Sequence, residues 1–265
     1  MTVKGIPGVP DHRCEEYAPR ASRCCVLIPI INEGGRIRRE LERARAAGVP
    51  RLADIILCDG GSTDGCTEEE TLRALEVNTL LTKTGPGRQG AQLRMGIWFA
   101  LRRGYDGIVT IDGNDKDSIE SVPLFLKKLE QGFDFVQGSR FIPGGVAERT
   151  PPLRWLAVRL IHAPVISLTA GVRFTDTTNA FRAYSRRYLE DTRVQPLREV
   201  FSGYELLAYL STRAGQLGLR CCEVPVARRY PANAPAPTKI KGMRGNLDLL
   251  RILFANARGR YEPKG

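Results

Sequence analysis

The chain has 265 residues, of which 42% are hydrophobic and 26% charged, a composition that excludes a disordered protein and suits one globular domain. Its net charge of +11 lies mostly on arginine, which binds phosphates well, so we expect anionic partners such as nucleotides or a phospholipid surface. A nucleic-acid partner is not expected, because phosphate-backbone binding gives no reason for the acids clustered at 112–117.

Strand and helix patterns alternate from residue 23 onward. Short β-branched runs predict strands, and the amphipathic stretches between them predict helices. In chain order we predict strands at 24–31, 53–61, 77–83 and 107–113 with helices between them at 35–48, 67–76 and 90–104, then a strand at 134–141, a helix started by Ser202 and a strand at 219–230. This order predicts an α/β fold with a central, mostly parallel sheet flanked by helices.

Three segments are predicted along the chain. They are an N-terminal arm at 1–22, a main domain at 23–230, and a mobile loop with a basic amphipathic C-terminal helix at 231–265. In that helix Leu247, Leu250 and either Leu253 or Phe254 share one face. The face either packs on the domain or lies on an anionic membrane surface.

The features that depend on cellular location favour a cytoplasmic protein. The seven cysteines lack C-x-x-C spacing and only two histidines are present, which favours reduced, buried thiols over a zinc site. The first twenty residues lack the apolar core of a signal peptide. Residues 155–172 contain Arg159, His162 and Pro164 and are too short and polar to span a bilayer comfortably, which leaves peripheral contact with the inner face of the membrane open.

Polar residues follow four of the predicted strands. They form the stretches PIINE at 29–33, CDGGSTDG at 58–65, TGPGRQGAQ at 84–92 and DGNDKD at 112–117. Ligands of such sheets bind beyond the carboxyl ends of the strands, so we expect the four loops to meet at one crevice.

Three acids, Asp112, Asp115 and Asp117, fall within six positions, although like charges ~4 Å apart repel by about 4 kcal/mol at an effective dielectric near 20. Capping of the next helix, whose first turn suits Pro123, would account for Asp117 or Ser118. It leaves Asp112 and Asp115 without a partner. A Mg²⁺ or Mn²⁺ ion would neutralise them, because hard cations bind carboxylate oxygens and bridge them to phosphates.

The glycine-rich stretch 85–92 precedes a predicted helix, so its backbone N–H groups are able to receive an anion. On this reading Gly87, Arg88 and Gln89 are candidate phosphate contacts. An ordinary strand-to-helix turn explains the glycines equally well. The stretch lacks the Lys-Ser/Thr ending of a P-loop, and no G-x-G-x-x-G follows the first strand, so a dinucleotide cofactor is not expected.

Taken together, these stretches resemble the inverting family 2 glycosyltransferases with the GT-A fold, the Rossmann-like fold of nucleotide-diphospho-sugar transferases. The similarity is strongest to the dolichol- or polyprenyl-phosphate mannose synthase branch. It covers roughly residues 23 to 255 in the family's order. The stretches that carry it are VLIPIINE at 26–33, DGGSTDG at 59–65, TIDGNDKDSIESVP at 110–123, FDFVQGSRFIPGG at 133–145, TDTTNAFRAYSRRYL at 175–189 and EVPVARRY at 223–230.

The resemblance implies that residues 23–230 are a catalytic domain with a nucleotide-sugar site. Pro29, Asn32 and Glu33 would lie against the nucleoside. Asp59 and Asp64 would line the pocket for the base and ribose.

The resemblance also implies that Asp112 and the residue two positions later hold Mg²⁺ or Mn²⁺ on the sugar diphosphate. That residue is Asn114 where the family has aspartate, and Asp115 follows it, so either one is the second ligand. The second loop has Asp59 followed by Gly60 where the family has paired aspartates, which leaves UDP, GDP and TDP donors open.

Cleavage of the bond between sugar C1 and the nucleoside diphosphate places negative charge on the leaving group, and cations that meet this charge accelerate the reaction. We assign Arg140 to this role as a catalytic residue beside Asp112. Other candidates are Arg228, Arg229, Arg88 and, after a Pro-rich segment with the composition of a mobile lid, Lys239. The alternative for each arginine is a solvated surface position.

The acceptor decides whether a catalytic base is needed. A polyprenyl phosphate is already anionic and attacks unaided, whereas a hydroxyl must lose its proton to a carboxylate. Glu205 is the best base by position. Its structural alternative is a capping box in which Ser202 and Glu205 close the start of a helix.

The sequence hypothesis is therefore a metal-dependent inverting glycosyltransferase. Its donor is a GDP- or UDP-linked sugar, and its acceptor is polyprenyl phosphate or a hydroxyl of a small molecule or glycan. The alternative is a sugar nucleotidyltransferase, which would be expected to carry a glycine-rich, basic loop after its first strand, where this chain has PIINEGGRIRRE. The sequence leaves the oligomeric state open, and a homo-oligomer is one of the states considered.

Overall fold

The computed structural model describes residues 1–231 and 242–263. The strands are β1 Thr2–Val3, β2 His12–Glu16, β3 Cys24–Ile30, β4 Asp54–Asp59, β5 Val77–Lys83, β6 Gly107–Thr110, β7 Phe135–Ser139, β8 Val146–Glu148, β9 Arg182–Ser185, β10 Cys221–Pro225 and β11 Ala227–Arg229. The helices are α1 Gly35–Ala46, α2 Glu69–Ala74, α3 Gln89–Arg102, α4 Val122–Glu130, α5 Pro152–Ala157, α6 Ala163–Ala170, α7 Arg186–Glu190, α8 Glu205–Gln216 and α9 Gly242–Ala257.

Nine strands form the main sheet in the order β1-β2-β5-β4-β3-β6-β9-β7-β10. The central run β5-β4-β3-β6 is parallel, and β7 and β10 are parallel to each other. β9 lies between β6 and β7 and is antiparallel to both. β11 and β8 form a separate parallel pair. The predicted α/β fold with a mostly parallel central sheet flanked by helices is confirmed.

Helices cover both faces of the sheet because side chains along β3 alternate between two cores. Cys25 and Leu27 lie in the core that includes Met95 of α3. Val26 and Ile28 lie in the core that includes Ile37 of α1. Burial on both faces explains why β3 has a continuous apolar sequence.

The structure also extends and divides predicted elements. Residues 2–16, placed in the predicted N-terminal arm, form two strands that pair antiparallel along the β5 edge of the main sheet. The strand predicted at 219–230 is interrupted at Val226, so that β10 belongs to the main sheet and β11 pairs with β8. Pro123 lies in the first turn of α4, as predicted.

The predicted helix cap by Asp117 or Ser118 is wrong. Neither side chain makes a capping hydrogen bond at the short 3₁₀ turn Ile119–Ser121 or at α4. Ser118 Oγ instead accepts a hydrogen bond from the backbone N–H of Ala227 at 2.9 Å. The acids of this loop therefore have other partners.

The C-terminal helix α9 packs on α8 and α6. Leu253 is 2% exposed, and Asn256 Nδ2 donates to Thr212 Oγ1 at 3.0 Å. Of the two predicted placements for this helix, the described part of the chain shows packing on the domain.

Candidate active site

The loops that follow β3 and β4 are joined by hydrogen bonds. The backbone N–H of Asn32 donates to Ser62 Oγ at 2.9 Å, and Asn32 Oδ1 accepts from the N–H of Thr63 at 2.8 Å. Asp64 Oδ2 accepts from the N–H of Gly34 at 2.8 Å. Asn32 has a φ of 49°, which is uncommon for a residue other than glycine, and its side chain bridges the two loops through the bond to Thr63.

The loops after β5 and β6 meet the same edge of the sheet. Gln92 Nε2 donates to the carbonyls of Ile30 and Cys58 at 2.6 and 2.7 Å. Gln89 Nε2 donates to Asp112 Oδ1 at 2.9 Å. Four strand-end loops therefore form one crevice, as the fold predicts.

The candidate nucleoside contacts differ in how open they are. Pro29 is buried within β3, and Glu33, 8% exposed, accepts a hydrogen bond from Arg36 Nε at 2.8 Å. Asp59 is 1% exposed, and its carboxylate binds the N–H groups of residues 61 and 62 and the Ser62 hydroxyl. Asp59 thus holds its own loop in place.

Asn32 and Asp64 are the exposed members of the same predicted set. Asp64 Oδ1 also accepts from the N–H of Cys66 at 3.2 Å. Hydrogen bonds from Cys66 and Gly34 hold the pKa of Asp64 below its usual value, so the carboxylate is charged at neutral pH.

Asp112 and Asn114 follow β6 on a tight loop. Gly113 between them allows close packing, because a Cβ there would lie 2.5 Å from Ile30 Cγ2. Asn114 Nδ2 lies 3.4 Å from Asp112 Oδ2, and Asn114 Oδ1 is buried without a hydrogen-bond partner among the described residues. An unpaired buried carbonyl oxygen beside a carboxylate is a ready pair of ligands for a hard cation.

Asp115 faces away from this pair, toward α1. Its two carboxylate oxygens accept from Arg39 Nε at 2.9 Å and Arg43 Nη1 at 2.7 Å. Its backbone N–H donates to the buried carboxylate of Glu40 at 2.8 Å, and burial raises the pKa of Glu40 well above its usual value. The ion pairs of Asp115 favour Asn114 as the second ligand.

Asp117 forms a buried ion pair with Arg228. The Asp117 side chain is fully buried, the Arg228 side chain is 8% exposed, and Arg228 Nη1 donates to Asp117 Oδ2. Arg228 Nη2 also lies 3.5 Å from Asp112 Oδ2. Burial raises the pKa of Asp117, while the neighbouring guanidinium opposes this shift. The pair brings Arg228 to the edge of the candidate metal site.

Lys116 adds a second buried cation. It is 5% exposed, and its Nζ lies 5.3 Å from the ring centroid of Tyr230. Burial and the charge of Arg228 lower the pKa of Lys116 to about 8, while Asp112 opposes the shift. Lys116 and Arg228 thus offset the charges of Asp112 and Asp117.

Two of the other predicted arginines, Arg140 and Arg229, form ion pairs with acids outside the acid loop. Arg140 donates from Nε and Nη2 to Asp176 at 2.6 and 2.9 Å, and the two side chains are 2% and 0% exposed. Arg229 is exposed and pairs with Glu148 at 3.0 Å. Direct contact between Arg140 and a ligand in the crevice is disfavoured, because its guanidinium is buried against Asp176.

The glycine-rich loop packs against the residues that precede α8. The N–H of Arg88 donates to the carbonyl of Ser202 at 2.9 Å, and a Cβ on Gly90 would lie 2.6 Å from the carbonyl oxygen of Gly203. The Arg88 N–H is therefore not available to a phosphate. The loop thus does not offer all of its backbone N–H groups to an anion. The Arg88 side chain is exposed at the crevice end of this loop.

Glu205 is the first residue of α8. Its Oε2 accepts a hydrogen bond from the N–H of Gly203 at 2.6 Å, and the Ser202 side chain makes no capping bond to the helix. The predicted capping box is thus replaced by a turn that the Glu205 carboxylate closes. Burial and then the charge of Asp112 raise the pKa of Tyr204, the residue before Glu205.

The described chain has cavities at its surface. One of 250 Å³ adjoins the acid loop, and its walls include Arg36, Arg39, Asn114, Lys116, Arg149 and Arg229. Another of 360 Å³ lies near the carboxyl-terminal end of α3, beside Trp98 and Leu101. Only the first adjoins the strand-end loops, so position and charge identify the site better than volume does.

Within residues 1–231 and 242–263, no group of three or more His, Cys, Asp and Glu side chains is arranged to hold a metal by itself. A cation at Asp112 and Asn114 would need further oxygen ligands from a diphosphate or water, as is common for Mg²⁺. Lys239 lies outside the described residues.

Sequence reasoning missed Lys116 and Tyr230 and gave Asp117 the wrong partner. A lysine between two aspartates, Asp115 and Asp117, was the available indication that this loop neutralises part of its own charge. The bond from Asp117 to Arg228 joins residues 111 positions apart, which no local pattern predicts.

The α/β architecture, with its central mostly parallel sheet, is the GT-A fold. Residues 25–193 match the family model described as "Glycosyl transferase family 2". This match spans more than half of the chain, which therefore belongs to glycosyl transferase family 2.

Curated relatives agree with this assignment. The chain is 30% identical over 207 residues to an undecaprenyl-phosphate mannosyltransferase of Micrococcus luteus, covering 77% of this chain and 82% of that protein. It is 28% identical over 243 residues to a polyprenol monophosphomannose synthase of Mycolicibacterium smegmatis, covering 91% and 89%. The predicted resemblance to the polyprenyl-phosphate mannose synthase branch is confirmed.

A solved structure shares the fold. Glucosyl-3-phosphoglycerate synthase of Mycobacterium tuberculosis, in complex with Mn²⁺, UDP and phosphoglyceric acid, superposes with a TM-score of 0.61 at 19% identity. The match covers 91% of this chain and 80% of that one.

Proposed function

We propose that this glycosyltransferase is metal-dependent and inverting, and that it moves a sugar from a nucleotide-diphosphate sugar to a polyprenyl phosphate. The observation that carries the proposal is the acid loop after β6. There a carboxylate and an unpaired buried carbonyl, Asp112 and Asn114, face two buried cations, Arg228 and Lys116. Such a site suits a diphosphate together with a divalent cation.

Asp112 and Asn114 are the proposed ligands of Mg²⁺ or Mn²⁺. Asp115 is a poorer candidate because its oxygens already bind Arg39 and Arg43. When bound, the ion would stabilise the negative charge that develops on the departing nucleoside diphosphate. Support from outside the chain comes from the fold relative whose complex contains Mn²⁺ with UDP.

Arg228 is the proposed arginine for the leaving group. Its ion pair with Asp117 fixes the guanidinium, and one nitrogen lies 3.5 Å from Asp112, where the diphosphate would sit. Arg140 acts indirectly in this proposal, by holding Asp176 and the loop after β7. The Arg88 side chain stays a candidate contact, since it is exposed at the crevice.

The donor end of the site is built from Asn32 and Asp64, which are exposed on the joined first and second loops. Asp59 would support these two residues by fixing the turn at 60–62 through its bonds to Ser62. A GDP- or UDP-linked sugar is the proposed donor.

In the described part of the chain, no evident free base lies near Asp112 to take a proton from a hydroxyl. A phosphate acceptor needs no such base, so it fits this site. The Glu205 carboxylate is engaged by the N–H of Gly203. In the proposed step an oxygen of the acceptor phosphate bonds to sugar C1 as the bond from C1 to the diphosphate breaks. A single displacement of this kind inverts the configuration at C1 and requires no proton transfer. The names of the two curated relatives support a polyprenyl-phosphate acceptor.

The decisive experiment is a transfer assay with a short-chain polyprenyl phosphate and a panel of UDP-, GDP- and TDP-sugars, with Mn²⁺ and again with a chelator. We expect transfer from one nucleotide sugar that requires the metal. Asp112→Ala should abolish transfer, whereas Glu205→Gln should retain most of it. Transfer only to hydroxyl acceptors, with loss in Glu205→Gln, would refute the proposed acceptor. Pyrophosphate release from a sugar phosphate and a nucleoside triphosphate would indicate the nucleotidyltransferase alternative.

A further inference from the structure

The acid loop offers less negative charge to the crevice than its sequence indicates. Asp115 turns toward α1, where Arg39 and Arg43 bind its two carboxylate oxygens at 2.9 and 2.7 Å. The residue before it, Asn114, has a neutral side chain. Of the two proposed ligands of a divalent cation, Asp112 therefore brings a negative charge and Asn114 does not.

The Asp112 carboxylate is itself partly engaged. Its Oδ1 accepts a hydrogen bond from Gln89 Nε2 at 2.9 Å, and its Oδ2 lies 3.5 Å from Arg228 Nη2. Lys116, which is 5% exposed, also interacts with this carboxylate through its charge. Each of these contacts lowers the negative potential that would attract a free cation.

The buried charges of the crevice offset one another. The carboxylates of Asp112 and Asp117 face the cations of Arg228 and Lys116. Water and salt screen buried charges little, so this balance persists in solution. A divalent cation that arrives alone meets no net negative charge here. Because the number of charged ligands sets the affinity of a hard cation, the protein alone is a weak site.

The rim of the 250 Å³ cavity beside the acid loop has a surplus of positive charge. Arg149 and Arg229 both line this cavity and both pair with one acid, Glu148, at 2.7 and 3.0 Å. A nucleoside diphosphate is multiply negative at neutral pH. It would supply the negative charge that the protein lacks, together with further oxygen ligands.

We infer that Asn114 and Lys116 make cation binding conditional on the nucleotide: the free protein binds Mg²⁺ or Mn²⁺ weakly, and a nucleoside diphosphate raises that affinity. The inference rests on the proposed function, which makes Asp112 and Asn114 the ligands. Lys116 is a fixed cation for the diphosphate and takes over part of its neutralisation. By linkage, the metal raises the affinity for the nucleotide by the same factor. No bond is made or broken in this coupling.

The test is calorimetric titration of Mn²⁺ into the full chain, alone and with saturating UDP or GDP, after subtraction of the titration into nucleotide without protein. We expect one of the two nucleotides to raise the Mn²⁺ affinity by about 5–150-fold or more. Uridine and guanosine, which lack phosphates, should leave it unchanged. An increase of less than about fivefold with both nucleotides would overturn the inference.

Asn114→Asp supplies the missing charge. The free variant should bind Mn²⁺ about tenfold or more tightly than the free wild type, and the gain from nucleotide should shrink. Asn246→Asp is the matched control, because Asn246 is exposed on α9 and gains the same charge. Equal Mn²⁺ affinities of the free Asn114→Asp protein and the free wild type would overturn the role of Asn114.

Lys116→Gln removes the fixed cation. We expect tighter Mn²⁺ binding to the free variant and weaker nucleotide binding in the presence of a chelator. A merely structural role of Lys116 would weaken both, and that result would overturn its assignment. Lys127→Gln, at an exposed position of α4, is the matched control. The wild-type titrations decide the inference even if Lys116→Gln fails to fold.

Failure of this coupling is distinguishable from failure of the proposed function, because the titrations contain no acceptor. If no sugar reaches polyprenyl phosphate, the proposed function is wrong, and the titrations still decide whether the nucleotide recruits the cation. If the free protein binds Mn²⁺ as tightly as its nucleotide complex does, the inference is wrong, while transfer to polyprenyl phosphate stands.

Discussion

The buried pair of Asp117 and Arg228 makes a quantitative prediction about stability. Asp117→Asn leaves the Arg228 guanidinium, 8% exposed, without its main counter-charge. Removing one partner of a buried pair costs about 3–5 kcal/mol. Because Asp112 lies 3.5 Å from Arg228 and compensates in part, we expect a loss near the lower end, about 3 kcal/mol. For a chain of this size that lowers the melting temperature by roughly 6–12 °C.

Urea and thermal unfolding followed by circular dichroism would measure this change. The matched control is Asp106→Asn, which breaks the surface pair of Asp106 and Arg23, whose side chains are 48% and 85% exposed. We expect little change in the control, because exposed pairs are screened by water. A loss of less than about 1 kcal/mol in Asp117→Asn would refute the assigned buried pair.

A double variant separates stability from activity. Asp117→Leu combined with Arg228→Met replaces the pair by apolar side chains, which often restores the free energy of unfolding. Transfer activity should stay lost, because the guanidinium beside Asp112 is gone. Recovery of activity together with stability would show that Arg228 has only a structural role.

Three further predictions concern the site and its supports. Asn114→Ala should weaken Mn²⁺ binding in the presence of nucleotide sugar by about tenfold or more, whereas Asp115→Asn should change it little; calorimetry measures both. Equal effects would make Asp115 a ligand. Gly90→Ala should lower the free energy of unfolding by about 1–3 kcal/mol, because the new Cβ would lie 2.6 Å from the Gly203 carbonyl oxygen; a neutral result in urea unfolding would contradict this contact. Burial raises the pKa of Glu223 above 4.5, so stability from this group is full below that pH and is lost as pH rises through the folded-state pKa. Glu223→Gln should flatten this part of the pH–stability curve, and an unchanged slope would exclude Glu223 as its source.

The strand and helix order could be predicted because each element carries its own periodic pattern. The continuous apolar run of β3 and the amphipathic α1 are examples, since local sequence determines both. The meeting of the four loops also followed from general properties of parallel sheets. The strands at 2–16 were missed because β2 pairs with β5, about 70 positions away, and β1 in turn pairs with β2.

Side-chain partners in the site were harder to predict. Asp112 was correctly placed at the end of its strand, but Asp115 and Asp117 turn toward arginines on α1 and β11. Arg140 was expected at a ligand and is buried against Asp176. A sequence gives the charge of each residue, whereas the choice among several arginines is made by tertiary packing.

The antiparallel strand β9 has a consequence for how the enzyme is made. β6, which leads into the acid loop, pairs on one side with β3 and on the other with β9, whose partners Ala183 and Arg182 follow some 70 residues later. On the ribosome the end of the crevice proposed to hold the metal therefore lacks one wall until residue 185 has emerged. Because pairing across long sequence separations slows folding, catalytic competence should arise late in synthesis, after the half proposed to bind the donor has already condensed.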